Sequence, residues 1–268
     1  QASQSDIVVN AHKINEGKEV ILDNKSRDFF FLKRYDADVI ISVVIQLIKQ
    51  KLPKYVDAKP FDIQVLTPMR KGLLGVERLN RILQQYLNPK DAKKAEHEVG
   101  DRIFREGDKV MQIKNNYQMA WKNLEDFTEG EGVFNGDVGF IRKVDREFNE
   151  LTVVYDEVRY VTYHFNQLEE LELAYAVTVH KSQGSEFPIV IMPISWFPPM
   201  LATRNLLYTG VTRGKRVVVL VGSQNKLEGM VDNNRIKERY SGLVYRLRRI
   251  FSMETAGGDA DDFDQMDQ

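Results

Sequence analysis

Two short stretches of this chain of 268 residues combine residue types that can handle phosphate groups. The first, residues 173–187, passes from an apolar run into a polar turn that contains His180, Lys181 and Gly184. Small hydroxyl groups with a His and a Lys at the end of an α/β element suit a site that grips phosphates. Glu186, after the turn, can accept a hydrogen bond from a ribose hydroxyl. An ordinary polar loop explains the same residue types, and on those types alone a phosphate site and a plain loop are equally well supported.

The second stretch, residues 205–216, has the pattern of a helix whose end presents Arg213, Lys215 and Arg216 together. An Arg held at the end of a rigid element can stabilise charge on a transferring phosphoryl group, as an arginine finger does. Basic residues near a helix C-terminus also complement the helix dipole. We favour the dipole interpretation for Lys215 and Arg216 and keep both interpretations for Arg213.

The elements that must position these stretches alternate between helix and strand in the first half of the chain. The spacing of apolar residues and of helix breakers predicts helices over residues 5–15, 36–51 and 73–87 and strands over residues 28–33 and 61–66. Ser5 is the expected N-cap of the first helix, and the second is expected to end before Pro53.

The period changes near Gly100, where short β-type runs separated by turns replace the helices. Four such runs, which together are typical of a small barrel, cover residues 109–114, 138–144, 151–155 and 160–163. The βα rhythm then returns, with strands over residues 189–193 and 216–221 and helices over residues 204–212 and 237–250. The order predicts an α/β domain interrupted by an all-β module, followed by a disordered acidic tail over residues 254–268.

The composition excludes several classes of protein. Cys is absent, which removes disulfides, thiolate zinc sites, iron–sulfur clusters and Cys nucleophiles. No apolar run approaches the ~20 residues that span a bilayer, and no signal peptide is visible, so we expect a cytoplasmic protein without membrane contact. The chain lacks an initiator Met, which is consistent with a fragment.

Charge is segregated along the chain, although 38 Lys and Arg nearly balance 39 Asp and Glu for a formal net charge of −1. Residues 254–268 hold six acids and no base, and residues 144–173 hold eight acids and two bases. Residues 204–250 hold eleven bases and three acids. The near-zero total therefore does not exclude a nucleic-acid partner.

Taken together, the two stretches resemble helicase motifs. Residues 178–187 (TVHKSQGSEF) resemble motif V of superfamily 1 helicases, and residues 207–215 (LYTGVTRGK) resemble motif VI. Other segments are similar to the RecD/TraA branch, whose members translocate 5′→3′ on DNA; these are residues 65–72, 107–117 and 133–139, and the opening residues 1–12. The resemblance covers nearly the whole chain except the tail.

The resemblance implies a fold and a division into domains. The fold class is α/β: a RecA-like, P-loop NTPase-type parallel-sheet domain without its own P-loop, interrupted by a small all-β src-homology-3-like barrel. Residues 1–98 and 172–253 form the second RecA-like motor domain, and residues 99–171 form the barrel. In this branch the barrel lies against the translocating strand. Asn135 and Gly136 match its signature, although we favour a tight hairpin turn as their explanation.

The resemblance also implies roles for particular residues. Arg213 is the arginine finger that reaches the γ-phosphate of ATP bound by the other motor domain. Glu186 contacts the ribose, Gly184 allows close approach of the backbone, and Gln183 couples nucleotide state to DNA grip. The resemblance assigns the contacts to single-stranded DNA to four residues: Thr67, Arg70, Thr178 and His180.

One expected part is missing from the chain. A P-loop needs G-x-x-x-x-G-K-[ST], and the Lys-Ser pairs at residues 25–26 and 181–182 lack its glycines. Residues 153–157 (VVYDE) imitate a magnesium-binding Walker B strand but lie inside the predicted barrel, so we interpret them as a hairpin end. ATP and Mg²⁺ are then held mainly by a first motor domain outside this chain. The chain alone is expected to be inactive.

The sequence leaves some alternatives open. A non-catalytic module that binds single-stranded nucleic acid explains the same loops without a motor. The parent helicase can act alone or with RecB- and RecC-type nuclease subunits. The apolar loop at residues 196–200 (WFPPM) suits packing against a neighbouring domain or, less commonly, stacking on a base.

Overall fold

The computed structural model describes residues 4–235. The predicted helix over residues 237–250 and the predicted disordered tail lie outside the described residues. No helix among residues 4–235 is both long enough and apolar enough to cross a membrane.

A parallel sheet of five strands forms the centre of the α/β part. Its strands are β1 (Phe29–Lys33), β2 (Ile63–Thr67), β12 (Ala176–Thr178), β13 (Phe187–Ile194) and β14 (Gly214–Gly222). Their order across the sheet is β1-β14-β13-β2-β12, and every pairing is parallel. Strands β13 and β14 are nearly continuous apolar runs, as expected of strands buried on both faces.

Helices cover both faces of this sheet. They are α1 (Asp6–Asn15), α2 (Ala37–Gln46), α3 (Leu52–Val56), α4 (Val76–Leu87), α5 (Arg204–Thr212) and α6 (Gln224–Asp232). Apolar side chains of α1, α5 and α6 share one buried cluster with the sheet, and those of α2, α3 and α4 share another. This two-sided arrangement confirms the predicted α/β class.

The all-β module consists of nine strands between the two parts of the α/β sequence. They are β3 (Glu96–Val99), β4 (Arg102–Arg105), β5 (Lys109–Gln112), β6 (Asn116–Asn123), β7 (Glu129–Val133), β8 (Val138–Asp145), β9 (Glu150–Tyr155), β10 (Arg159–His164) and β11 (Leu171–Leu173). Seven of them form an antiparallel sheet in the order β11-β5-β8-β9-β10-β6-β7, and β3 pairs with β4. We call these nine strands together the β module; the boundaries at residues 99 and 171 remain predictions.

The sequence prediction missed the β6–β7 hairpin. Strand β7 reads Glu-Gly-Glu-Gly-Val, a composition with low strand propensity. The glycines have a packing reason, because a Cβ on Gly130 would lie 2.4 Å from the ring of Trp121, its partner across the strands. The hairpin therefore depends on a contact between two strands, and the local sequence pattern of either strand does not predict that contact.

Two details at helix ends also differ from prediction. The helical path predicted to stop before Pro53 continues through it. Helix α2 passes into a π-helical turn at Leu47–Lys51 and then into α3, where Pro53 lies in the first turn and its missing N–H costs little. The Ser5 hydroxyl does not cap α1. It donates instead to Asp28 Oδ2 at 2.5 Å, which ties the start of α1 to the start of β1.

Candidate functional site

The strand register places the predicted site residues at two opposite edges of the parallel sheet. Thr67 pairs with Thr178 at the carboxyl ends of β2 and β12. Glu186 and Arg213 immediately precede β13 and β14, whose first residues are paired, and the Phe187 N–H donates to the Arg213 carbonyl at 2.9 Å. Thr67 and Thr178 thus lie at the carboxyl edge, and Glu186 and Arg213 at the amino edge.

The separation of the two edges follows from the same register. Ile191 pairs with Val65, so Pro193 lies level with Thr67. Six residues of strand separate Phe187 from that level, which is about 20 Å at roughly 3.3 Å per residue. Residues 179–186 connect β12 to β13 and therefore run from the carboxyl edge to the amino edge. We call them the crossing segment.

Arg213 follows the end of α5, and its guanidinium has no hydrogen-bond partner among residues 4–235. It follows the last helical residue, and its side chain is partly buried. Its Nε is fully buried and has no hydrogen-bond partner, and within residues 4–235 no ion pair or side-chain hydrogen bond involves this residue. A guanidinium that is both partly buried and unpaired is unusual, because each lost hydrogen bond carries a desolvation cost. The arrangement suits an anion supplied from outside the described residues.

Glu186 lies beside Arg213 in an open, charged surface. Its carboxylate pairs with Lys215 Nζ at 2.6 Å, and both side chains are more than half exposed. Gly184, two residues earlier, has a φ of +81°, and a Cβ there would meet no atom within 4 Å. The glycine is thus required for its backbone conformation, and open space remains beside it.

At the carboxyl edge, the structure corrects the predicted role of Thr67. Its side chain is fully buried and its hydroxyl donates to the Leu74 carbonyl at 2.7 Å, so it has no surface with which to touch a strand. Thr178 is also buried, and its hydroxyl accepts from the Lys181 N–H at 3.2 Å. Both threonines shape loops: Thr67 holds residues 68–75, and Thr178 holds the turn that follows it.

That turn presents an exposed His180 and connects to the β module. Lys181 Nζ donates to Asn135 Oδ1 at 3.2 Å. Asn135 lies in a tight turn between β7 and β8, where Gly136 has a φ of +102° and the Phe134 N–H donates to Asp137 Oδ2 at 3.0 Å. The tight turn predicted for Asn135 and Gly136 is present, but it is not a hairpin, because the strands that it joins, β7 and β8, are not neighbours in the sheet. The contact with Lys181 could not be predicted from the sequence.

Arg70, the remaining predicted DNA contact, is bound within the chain. Its two terminal nitrogens lie 2.9 and 3.2 Å from the two carboxylate oxygens of Glu172 on β11. This pairing raises the pKa of Arg70 above its ordinary value. The guanidinium remains partly exposed, with 47% of the side-chain surface accessible.

A buried carboxylate that sequence reasoning missed joins the α/β part to the β module. Asp108 is fully buried and accepts four hydrogen bonds, from Gln84 Nε2, Asn88 Nδ2, the Arg105 N–H and the Tyr175 hydroxyl, at 2.6–2.8 Å. Burial raises the pKa of Asp108, and the hydrogen bonds oppose that rise. Three of its four donors, on Gln84, Asn88 and Tyr175, come from distant segments, so no spacing in the sequence predicts the site.

The neighbouring Lys109 is buried as well. Its Nζ donates to the carbonyls of Phe61 and Ile63 at 3.0 and 3.2 Å, next to β2. Burial lowers the pKa of Lys109 to about 7, against an opposing attraction from Asp62. Lys109, the first residue of β5, thus anchors the β module to the parallel sheet.

No group of three or more His, Asp or Glu side chains within residues 4–235 is placed to hold an ion. The Walker B-like residues 153–157 end in a hairpin turn, where Asp156 and Glu157 have φ values of +51° and +64°. Asp156 pairs with Arg159 at 2.6 Å, which agrees with the hairpin interpretation.

Two family models match this architecture. Residues 79–155 match the model described as the ATP-dependent RecD-like DNA helicase SH3 domain. Residues 173–221 match the UvrD-like helicase C-terminal domain. The first match covers most of the β module, and the second covers the crossing segment, α5 and most of β14.

Two curated proteins and one solved structure are similar to this chain. The ATP-dependent RecD2 DNA helicase of Deinococcus radiodurans is 35% identical over 189 residues, which is 70% of this chain and 24% of that protein. The RecBCD enzyme subunit RecD of Mycolicibacterium smegmatis is 28% identical over 188 residues, which is 69% of this chain and 29% of that subunit. A crystal structure of Pif1 helicase from Bacteroides with ADP-AlF3 and ssDNA matches 96% of this chain and 55% of that one, at 16% identity and a TM-score of 0.46.

The family matches and relatives place the chain in a class: it carries the C-terminal region of a superfamily 1 helicase. Within that class it is of the RecD-like type, which confirms the predicted resemblance. The chain spans less than a third of the length of either relative.

Proposed function

We propose that this chain is the C-terminal part of an ATP-dependent 5′→3′ DNA helicase of the RecD type. It supplies an arginine finger and single-strand contacts for ATP-driven translocation and unwinding in the cytoplasm. The unpaired Arg213 guanidinium at the amino edge of the sheet carries the proposal, because it is a preformed cationic donor without a partner among residues 4–235.

ATP is assigned to a cleft between this chain and the first RecA-like domain of the same protein. Arg213 would reach the γ-phosphate there, Glu186 would accept from the ribose, and Gly184 would leave room beside it. The first domain would hold most of the ATP and its Mg²⁺, since this chain contains no P-loop of the form G-x-x-x-x-G-K-[ST]. When bound, ATP supplies the phosphoryl group whose transfer drives the motor.

Single-stranded DNA is assigned to the carboxyl edge of the sheet. His180 is exposed there, Thr178 holds its turn, and Arg70 presents a partly exposed guanidinium from the loop that Thr67 holds. A cationic Arg suits the phosphate backbone of any sequence, as a translocating motor requires.

Coupling is assigned to the crossing segment, and to Gln183 in particular. This exposed residue lies between the DNA edge and the nucleotide edge. Closure of the cleft on ATP would draw the crossing segment toward the first domain, and hydrolysis would release it. Each cycle would then advance the strand by a small step.

The test is ATP turnover by the complete gene product, with and without single-stranded DNA. Arg213→Ala is expected to lower turnover by about 10³-fold or more, the range known for arginine fingers, while ATP binding survives. Arg216→Ala, which removes an exposed Arg bonded to the Val56 carbonyl, is the matched control and should keep turnover. Near-normal turnover in Arg213→Ala would refute the assignment.

Two further results of the same assay bear on the proposal. Absence of turnover in the wild-type gene product, with DNA binding retained, would support a non-catalytic binding module instead. The 268-residue chain alone should show no turnover. Several relatives carry the name of the RecBCD enzyme, so co-purification with the tagged full-length protein is the test for RecB- and RecC-type partners.

A further inference from the structure

The ion pair between Arg70 and Glu172 connects two parts of the molecule that meet at the proposed DNA surface. Arg70 lies in the loop after β2, and Glu172 lies in β11, the last strand of the β module. The contact is bidentate, at 2.9 and 3.2 Å, and uses both terminal nitrogens of the guanidinium. A planar fork of this kind fits a phosphate as well as it fits a carboxylate.

The pair also cancels the charge that would attract a DNA backbone. Glu172 has 23% of its side-chain surface exposed and Arg70 has 47%, so solvent and a ligand reach the same groups. Glu77 adds a second, weaker negative influence on Arg70. A phosphodiester that approaches Arg70 therefore meets a neutral pair, and to use the fork it must compete with a carboxylate already in place.

We propose that Glu172 is a positioning residue that holds the Arg70 guanidinium in place of a phosphate and so lowers the affinity of this surface for a single strand. The inference rests on the proposed function, in which Arg70 contacts the DNA backbone. A strand that takes Arg70 releases Glu172, and with it one tie between the loop after β2 and the β module. The ligand class is the phosphodiester backbone, independent of base sequence.

The direct test measures binding of fluorescent oligo(dT) to the full-length protein by anisotropy. Glu172→Gln is expected to tighten binding by about threefold, the factor that Coulomb's law gives for one charge removed about 6 Å away in a water-like medium. Arg70→Gln should weaken binding roughly tenfold, because a charged hydrogen-bonded contact is lost. The double variant should fall between Arg70→Gln and the wild type, since it loses both the contact and the repulsion.

Salt dependence gives a readout that a merely structural role of Glu172 would not move. In the wild type, a phosphate that takes Arg70 frees Glu172 to recruit a cation, so the contact releases no net counterion. In Glu172→Gln the same contact releases one, and the slope of log affinity against log salt becomes steeper by about 0.7 for single strands.

Glu169→Gln is the matched control. It removes the same charge three residues away, from an exposed acid paired with Lys114 at 3.3 Å, and should leave affinity and slope near wild type. Equal behaviour of Glu172→Gln and Glu169→Gln, or weaker binding by Glu172→Gln, would overturn the inference. Unchanged binding by Arg70→Gln would instead contradict the proposed role of Arg70, and a wild-type protein that binds no oligo(dT) would contradict the proposed function.

Discussion

At the scale of single residues, two ionisable side chains differ in whether their buried polar atoms have hydrogen-bond partners. Asp108 is fully buried and has every acceptor position matched by a donor. Arg213 has a buried Nε with no partner. A satisfied buried charge stabilises the fold around it, whereas an unsatisfied one is retained at a cost in stability. The proposed role of Arg213 rests on this contrast, because an anion from outside residues 4–235 would match the unpaired guanidinium.

We predict that Asp108→Asn lowers the free energy of unfolding by about 2 kcal/mol, the usual penalty for an unmatched buried polar group. Each carboxylate oxygen of Asp108 accepts from two donors, so the NH₂ group of an Asn at this position must face one of these two pairs of donors. On one side lies the Arg105 N–H, which cannot accept. On the other side lies Asn88 Nδ2. The Asn88 amide cannot easily turn over, because its Nδ2 also donates to the Glu106 carbonyl and its Oδ1 accepts from Lys94 Nζ. Urea denaturation of the chain measures the change.

Tyr175→Phe is the control for this prediction, because it removes one donor to Asp108 and adds no competing group. Its expected cost is about 1 kcal/mol. If Asp108→Asn proves no more destabilising than Tyr175→Phe, then the carboxylate is not needed as an acceptor for all four donors.

At the scale of elements, parallel strand order positions the proposed subsites. Because β12 and β13 lie on opposite sides of β2, the crossing segment must pass over that strand to connect them. The segment is fixed inside the fold, since Val179 belongs to the buried cluster beneath α5 and the Ser182 hydroxyl donates to the Val179 carbonyl at 2.6 Å. A change at one edge can therefore reach the other through a short, anchored stretch.

We predict that Gln183→Ala in the full-length protein reduces the stimulation of ATP turnover by single-stranded DNA and leaves oligo(dT) affinity near wild type. Gln183 is exposed, and no side-chain hydrogen bond is recorded for it within residues 4–235, so its removal should not disturb the fold. Turnover with and without oligo(dT), beside anisotropy, separates the two effects. Unchanged stimulation, or a parallel loss of DNA affinity, would count against a coupling role.

Local pattern predicts the elements well where apolar runs are long. Strands β13 and β14 lie where the sequence predicts them, because their apolar runs leave few alternatives, and helix α5 also lies at its predicted position. The β6–β7 hairpin could not be predicted, because Gly130 makes room for Trp121 from the partner strand. For the same reason, motif resemblance locates Arg213 and Thr67 but cannot tell that one is unpaired and the other buried.

At the scale of the whole molecule, the β module is fastened to the parallel sheet by buried polar groups as well as by apolar packing. Asp108 reaches α4, and Lys109 reaches the carbonyls of Phe61 and Ile63. An exposed hydrogen bond from Lys181 to Asn135 adds a contact at the surface. Buried polar contacts specify one relative placement, because a shifted placement would leave them unmatched. The near-zero net charge of the chain gives no indication of these buried contacts of Asp108 and Lys109.

The anchoring role of Lys109 leads to a pH-dependent prediction. Its folded-state pKa is about 7, and in the unfolded chain it is about 10.4. Between these values the unfolded state binds the proton and the folded state does not, so this group adds stability as pH rises from about 7 toward 10. Below pH 7 the full cost of burying the charged amine is present.

Lys109→Met fills a similar volume without a charge and should remove this dependence. Its stability relative to wild type is expected to fall by about 3 kcal/mol between pH 7 and 9.5, as the wild type loses its buried charge. The lost bonds to the Phe61 and Ile63 carbonyls add a constant offset, so the slope is diagnostic and the absolute difference is not. Urea denaturation at several pH values measures it. Lys122→Met, on an exposed Lys of the β module, is the control, and a slope shared by both variants would show that the Lys109 amine is not the titrating group.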